Sequence, residues 1–174
     1  VLLILKPDGV AKLDASVVTD CLYCLRGMSS DHEEVQCVIQ LLTQCASKCK
    51  DNYSHSDIAH ALYGLKNMTS ESSDIRSLLT LLTSKLVNCN QQMGLQDIGM
   101  AVVGLQSMSP DCDEVSACMQ VLLGQVEGLK AEGAKGTDIE RDVVGEVDLM
   151  QVLQMFKGDG SVDDELDALE DGLL

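Results

Sequence analysis

Shifted against itself by 40 residues, the chain falls into register over three successive copies, and no other feature constrains its fold as tightly. Cys21-Leu22-Tyr23-Cys24-Leu25-Arg26-Gly27-Met28 aligns with Ala61-Leu62-Tyr63-Gly64-Leu65-Lys66-Asn67-Met68. Both align with Ala101-Val102-Val103-Gly104-Leu105-Gln106-Ser107-Met108. The register persists through Val18, Ile58 and Ile98, through Val35, Ile75 and Val115, and through Leu42, Leu82 and Leu122. Periods of 20 to 50 residues are the mark of stacked supersecondary units, in which one unit cannot bury its apolar face alone.

Hydrophobic spacing identifies the unit. Ile58, Ala61, Leu62, Leu65 and Met68 fall on one helical stripe, and Ile75, Leu78, Leu79, Leu82 and Leu86 form a second after a polar break. Each unit therefore reads as a short helix of about 12 residues and a longer one of about 18. Ser29-Ser30-Asp31, Thr69-Ser70-Glu71 and Ser109-Pro110-Asp111 are expected to start the longer helices, with a hydroxyl at the N-cap and an acid in the first turn. Pro110 suits the first helical position, which needs no intrahelical donor. The expected fold is all-α, a right-handed α-solenoid of helical hairpins with a 40-residue repeat and an irregular acidic C-terminal tail. Its divisions are the end of a preceding helix with its turn (1–13), repeats at 14–53, 54–93 and 94–130, a linker with a degenerate fourth repeat or cap (131–156), and an acidic tail (157–174). The chain starts on Val1 rather than Met, which predicts that something has been removed upstream.

Charge divides the chain unevenly. The net is −16, of which residues 131–174 contribute −10 and the other 130 residues −6. Nucleic-acid affinity rests on Lys and Arg neutralising phosphates, so this balance disfavours RNA. Lys48, Lys50, Lys66, Arg76 and Lys85 make only a thin basic stripe. Aromatics are 2% of the chain, with no Trp, which leaves few platforms for stacking bases. No apolar run approaches a membrane span, so membrane association is expected only peripherally and through partners.

The chemistry-bearing residues read as packing. Cys21 and Cys24 have the spacing of a redox or metal pair, yet their repeat equivalents are Ala61 and Ala101, and Gly64 and Gly104. Those positions call for a small residue where the short helix approaches its neighbour. Most of the eight cysteines fall at small or apolar helical positions, which points to a reducing compartment rather than a disulfide framework. Asp159, Ser161, Asp163 and Glu170 have calcium-loop spacing, but Asp164 stands where that loop's sharp turn requires Gly. His32, His55 and His60 form no ligand pair, and His60 reads as a boundary residue beside the apolar stripe. Tyr23 and Tyr63 share a position that becomes Val103, and Met28, Met68 and Met108 read as core at the hairpin turn. No phosphate loop, nucleophile elbow or spaced pair of carboxylates is present. The expectation is a protein that is not an enzyme, with no catalytic, cofactor-binding or metal-binding residues.

Ser56-Asp57-Ile58-Ala59-His60-Ala61-Leu62-Tyr63-Gly64-Leu65-Lys66-Asn67-Met68 resembles the "ALYGLxxM" helical-hairpin repeats expanded in algal genomes. Those are similar in organisation to the octotricopeptide and pentatricopeptide classes of organellar repeat proteins. The resemblance covers residues 14–130 and is clearest in the middle copy; Cys24 and Val103 depart from it. It implies a plastid location and, through the related classes, RNA binding. Combined with the charge, the leading expectation is a scaffold that binds protein subunits of a large plastid assembly of the photosystem–antenna type. An RNA-binding expression factor is the alternative. The apolar start, through Val1, Leu3 and Leu5, and the tail leucines Leu166, Leu169 and Leu173 are the expected protein-interface residues.

Overall fold

The computed structural model describes residues 13–89 and 91–133, all of whose regular structure is helical. The chain order is α1 (Ala15–Cys24), a 3-10 turn (Leu25–Gly27), α2 (Glu33–Lys48), α3 (His55–Tyr63), α4 (Ser73–Val87), α5 (Leu95–Leu105) and α6 (Asp113–Gly133). Short and long helices alternate, at 10, 9 and 11 residues against 16, 15 and 21. Most are shorter than the periodicity suggests, because the apolar stripe runs on into a tight turn at each short helix's end. The Met28, Met68 and Met108 amides donate to the carbonyls of Leu25, Leu65 and Leu105 at 2.8, 2.8 and 3.0 Å, closing three equivalent turns.

Local chemistry sets the helix starts. Asp14 caps α1, its carboxylate accepting from the Val17 amide at 2.9 Å. Ser54 and Asp57 form a reciprocal capping box on α3. Asp57 and Asp97 recur in the repeat with different tasks. Gly94 caps α5 without a side chain, and Asp97 instead accepts a 2.7 Å hydrogen bond from His55 Nδ1 on α3.

The expected starts of the longer helices need correcting. Helices α2, α4 and α6 begin at Glu33, Ser73 and Asp113, several residues after the serines and threonine read as N-caps, and Pro110 lies in the preceding turn. Ser30 and Ser70 are buried and face the next turn along the chain. Ser30 Oγ accepts the Thr69 amide at 3.1 Å, and Ser70 Oγ accepts the Ser109 amide at 3.0 Å. A recurrent hydroxyl that looks like a helix cap is a link between successive helix pairs. The acids do lie where the helix dipole favours them, with Glu33 and Glu34, Asp74, and Asp113 and Glu114 in the first turns.

Packing forms two rows. Each short helix touches the next, α1 to α3 to α5, and each long helix does likewise, α2 to α4 to α6; each short helix also packs on its own long partner. The core runs between the rows through Leu22, Ile39, Ile58, Leu62, Leu79, Leu82, Val102 and Leu122, all essentially without solvent contact. Close approach within the short-helix row depends on glycine. A Cβ on Gly64 would stand 2.6 Å from the Leu22 carbonyl carbon, and one on Gly104 would stand 2.8 Å from the Tyr63 amide nitrogen. The small-residue reading of this position therefore describes Gly64 and Gly104, whereas Cys24 is exposed because no described helix lies on its side of α1. Met28 is corrected for the same reason: Met68 and Met108 are 0% and 4% exposed, Met28 is 47%.

All eight cysteines are free thiols, and Cys24 and Cys37 stand exposed rather than at packing positions. Burial pushes the Cys118 thiol up to about 11, from an ordinary value of 9.0. Burial raises Cys21 and Cys45 in the same direction. The sign follows directly. Above pH 9.0 the unfolded thiol loses its proton while folded Cys118 keeps it. The folded state then binds more protons, so stability falls as pH rises. Denaturant titrations between pH 9 and 11 are expected to show a loss of up to about 1.4 kcal/mol per pH unit from this group. The slope should flatten in Cys118→Ala, and an equal slope in the variant would refute the assignment.

Candidate functional site

The outward face of the short-helix row carries the most organised polar and aromatic surface among the described residues. Tyr23 on α1 and Tyr63 on α3 are half-buried and occupy the same helical position one step apart. Their rings stack, with centroids 5.8 Å apart and planes inclined by 24°. His60, one turn before Tyr63, meets Tyr23 edge-on at 5.5 Å. Its ring is oriented by Nδ1 donating to the Ser56 carbonyl at 2.7 Å.

Each tyrosine is followed three residues later by a cation, a spacing that brings side chains together on a helix. Arg26 Cζ lies 4.5 Å from the Tyr23 ring centre, and Lys66 Nζ lies 5.0 Å from that of Tyr63. Arg26 Nη1 also donates to the Tyr23 carbonyl at 3.3 Å, and Lys66 Nζ to the Tyr63 hydroxyl at 3.4 Å. The turns that carry these cations are tied to their neighbours. Asn67 Nδ2 donates to the Arg26 carbonyl at 3.0 Å, and Ser107 Oγ to the Lys66 carbonyl at 2.6 Å. At the third step Val103 and Gln106 replace tyrosine and cation, and the ladder ends.

Chemically, this is a pre-ordered aromatic surface with two positive groups against it. Tyrosine and arginine are the residue types that dominate protein interfaces, because they bury large area at small entropic cost and offer a polar tip. Sequence reading assigned the tyrosines to packing and did not connect Arg26 and Lys66 with them. The signal was present as Tyr-x-x-Arg and Tyr-x-x-Lys in aligned positions.

A second feature is a polar cleft of about 560 Å³ where the links following α2 and α4 lie side by side, with Lys50, Asn52, Lys85, Asn88 and Gln91 on its walls. Lys85 Nζ sits 4.2 Å from the Tyr53 ring centre. Tyr53 is buried, and its hydroxyl is held far above the ordinary phenol range chiefly by that burial. A third is an apolar groove of about 580 Å³ at the free side of α1 and α2. The five cations read as one stripe do not form one: Lys50 and Lys85 share the polar cleft, with Lys48 in the last turn of α2, whereas Lys66 lies on the short-helix face.

The expected interface residues Val1, Leu3, Leu5, Leu166, Leu169 and Leu173 lie outside the described residues, as does the calcium-loop spacing from Asp159 to Glu170. Among the described residues, no three of His, Cys, Asp and Glu come together as a metal-binding group. No helix there is long and apolar enough to cross a membrane. Compared with known proteins, the chain matches no family model, no curated protein and no solved structure.

Proposed function

We propose that this protein is a non-catalytic scaffold, a right-handed α-solenoid with a 40-residue repeat that binds another protein along its short-helix face. The observation that carries the reading is the stacked Tyr23–Tyr63 ladder with Arg26 and Lys66 against its rings. Solenoids present extended surfaces built from equivalent positions of successive repeats, and the ladder has that origin. The solenoid reading is supported by links repeated one step along, Ser30 to Thr69 then Ser70 to Ser109, and by the paired approaches at Gly64 and Gly104. Placement in a plastid assembly of the photosystem–antenna type is proposed from the resemblance of the repeat sequence.

A second reading, an RNA-binding organellar expression factor, is favoured by the same cations beside aromatic rings, a combination used on single-stranded nucleic acid. The net charge of −16 weighs against it, as does the loss of both groups at Val103 and Gln106.

The test is a gentle capture from organelle extract with the wild type and a Tyr23→Ala, Tyr63→Ala double variant, with and without nuclease. The expected result is a stoichiometric protein partner that survives nuclease. Its recovery should fall tenfold or more in the variant, since truncating a central interface tyrosine commonly costs more than about 1 kcal/mol. Enrichment of a few transcripts, lost steeply with added salt, would overturn the scaffold in favour of RNA.

A further inference from the structure

The groove at the free side of α1 and α2 is the first-pair counterpart of a surface that is covered at the next step. Leu13, Cys21, Met28 and Val38 line it, with Asp20 and Glu34 the charged residues among its lining. One step along, Ala61, Met68 and Leu78 are fully buried, and Tyr53, the equivalent of Leu13, is 5% exposed. Helices provide that cover, since α1 packs on α3 and α2 on α4. In the first pair, Leu13, Cys21 and Val38 are only partly covered and Met28 is exposed. An occupant that fits this groove as the first pair fits the second is therefore helical.

The acids say what that helix carries. Glu34, Asp74 and Glu114 are repeat equivalents in the first turns of α2, α4 and α6. At both later steps the preceding long helix brings a donor to the acid. Gln40 Nε2 of α2 donates to Asp74 at 2.9 Å, and Arg76 Nε of α4 stands 4.0 Å from Glu114. Asp74 and Glu114 are half-buried, whereas Glu34 is exposed, and its carboxylate has no hydrogen bond or ion pair among the described residues.

We infer that the groove takes an amphipathic helix of a partner protein, with an apolar stripe flanked by Lys or Arg and one of those cations meeting Glu34. Burial of the stripe against Met28 and Val38 is the driving force. Charge selects the flanks. Asp20 adds a second acid on the α1 side, and the net charge of −16 steers a basic partner toward the chain. The same charge opposes a second copy, which would bring its own −16. The inference is independent of which partner the short-helix face binds.

Peptide-resolved alkylation of the full chain tests this, with two amphipathic peptides that share one leucine stripe. One carries lysine on its polar face and the other glutamate. Cys24, exposed in the groove, is the reporter, and Cys37, exposed on α2 and not among the groove's lining residues, is the internal control. The lysine peptide is expected to slow Cys24 modification about tenfold or more and to leave Cys37 unchanged, while the glutamate peptide protects neither. Glu34→Lys, a substitution at an exposed position, should exchange the two peptides. Absence of protection by the lysine peptide, equal protection by both, or protection that survives Glu34→Lys would overturn the inference. So would slowing of Cys37 together with Cys24, which is general attraction to an acidic chain. Protection without peptide would overturn it as well. If dilution removes that protection the occupant is a second copy, and if deletion of residues 1–12 removes it the occupant is the chain itself.

Discussion

Replacing Gly104 with valine is expected to lower unfolding free energy by about 3 kcal/mol or more, and Tm by roughly 10 °C. The helix itself argues the other way, since any β-carbon in place of glycine reduces backbone entropy in the unfolded chain and favours the helix by up to about 1 kcal/mol. Steric exclusion wins because the added carbon meets backbone. A Cβ at Gly104 collides with the Leu62 carbonyl and stands 2.8 Å from the Tyr63 amide nitrogen, and neither group can turn aside as a side chain would. The whole of α5 must shift away from α3. Gly64→Cys should be costly for the same reason, although the first copy carries Cys24 at the equivalent position, where the side chain is exposed. Thermal and denaturant unfolding check both substitutions, and a Gly104→Val protein as stable as wild type would contradict the close approach.

The second large effect is a pair. Met68→Ala is expected to cost about 3 kcal/mol, the range for emptying a filled core position. Met28→Ala should cost under about 1 kcal/mol, because a side chain already 47% exposed loses little burial. The two methionines are indistinguishable by repeat position or local sequence type. Their difference measures what one helix pair contributes to the next. Equal losses in denaturant titrations would mean that the two sites are covered alike.

This pair also marks how far the sequence could be read. Period and apolar spacing made the alternation of short and long helices legible, because 3.6-residue periodicity is written in each copy. The requirement for a small residue at Gly64 and Gly104 was legible too, since two of three copies carry no side chain there. Exposure of Met28 was not, because periodicity assigns a residue to a face and says nothing of whether a neighbour covers it. The serines at 30 and 70 misled for a related reason. A hydroxyl before an apolar run signals an N-cap, but the amide that it serves lies 39 residues away. The tyrosine ladder was hidden by treating each column of the repeat separately. Only the three-residue offset within a helix, joined to stacking between helices, turns Tyr23, Arg26, Tyr63 and Lys66 into one surface.

The most direct test of the account is nuclear Overhauser contact between successive short helices. With the pairs stacked one step apart, the Gly64 α-protons should give strong cross-peaks to the Tyr23 amide, and the Gly104 α-protons to the Tyr63 amide. Both sets should appear together, since one step generates both. Their absence in a folded, helical protein would contradict the stacking, and with it the surface on which Tyr23 and Tyr63 meet.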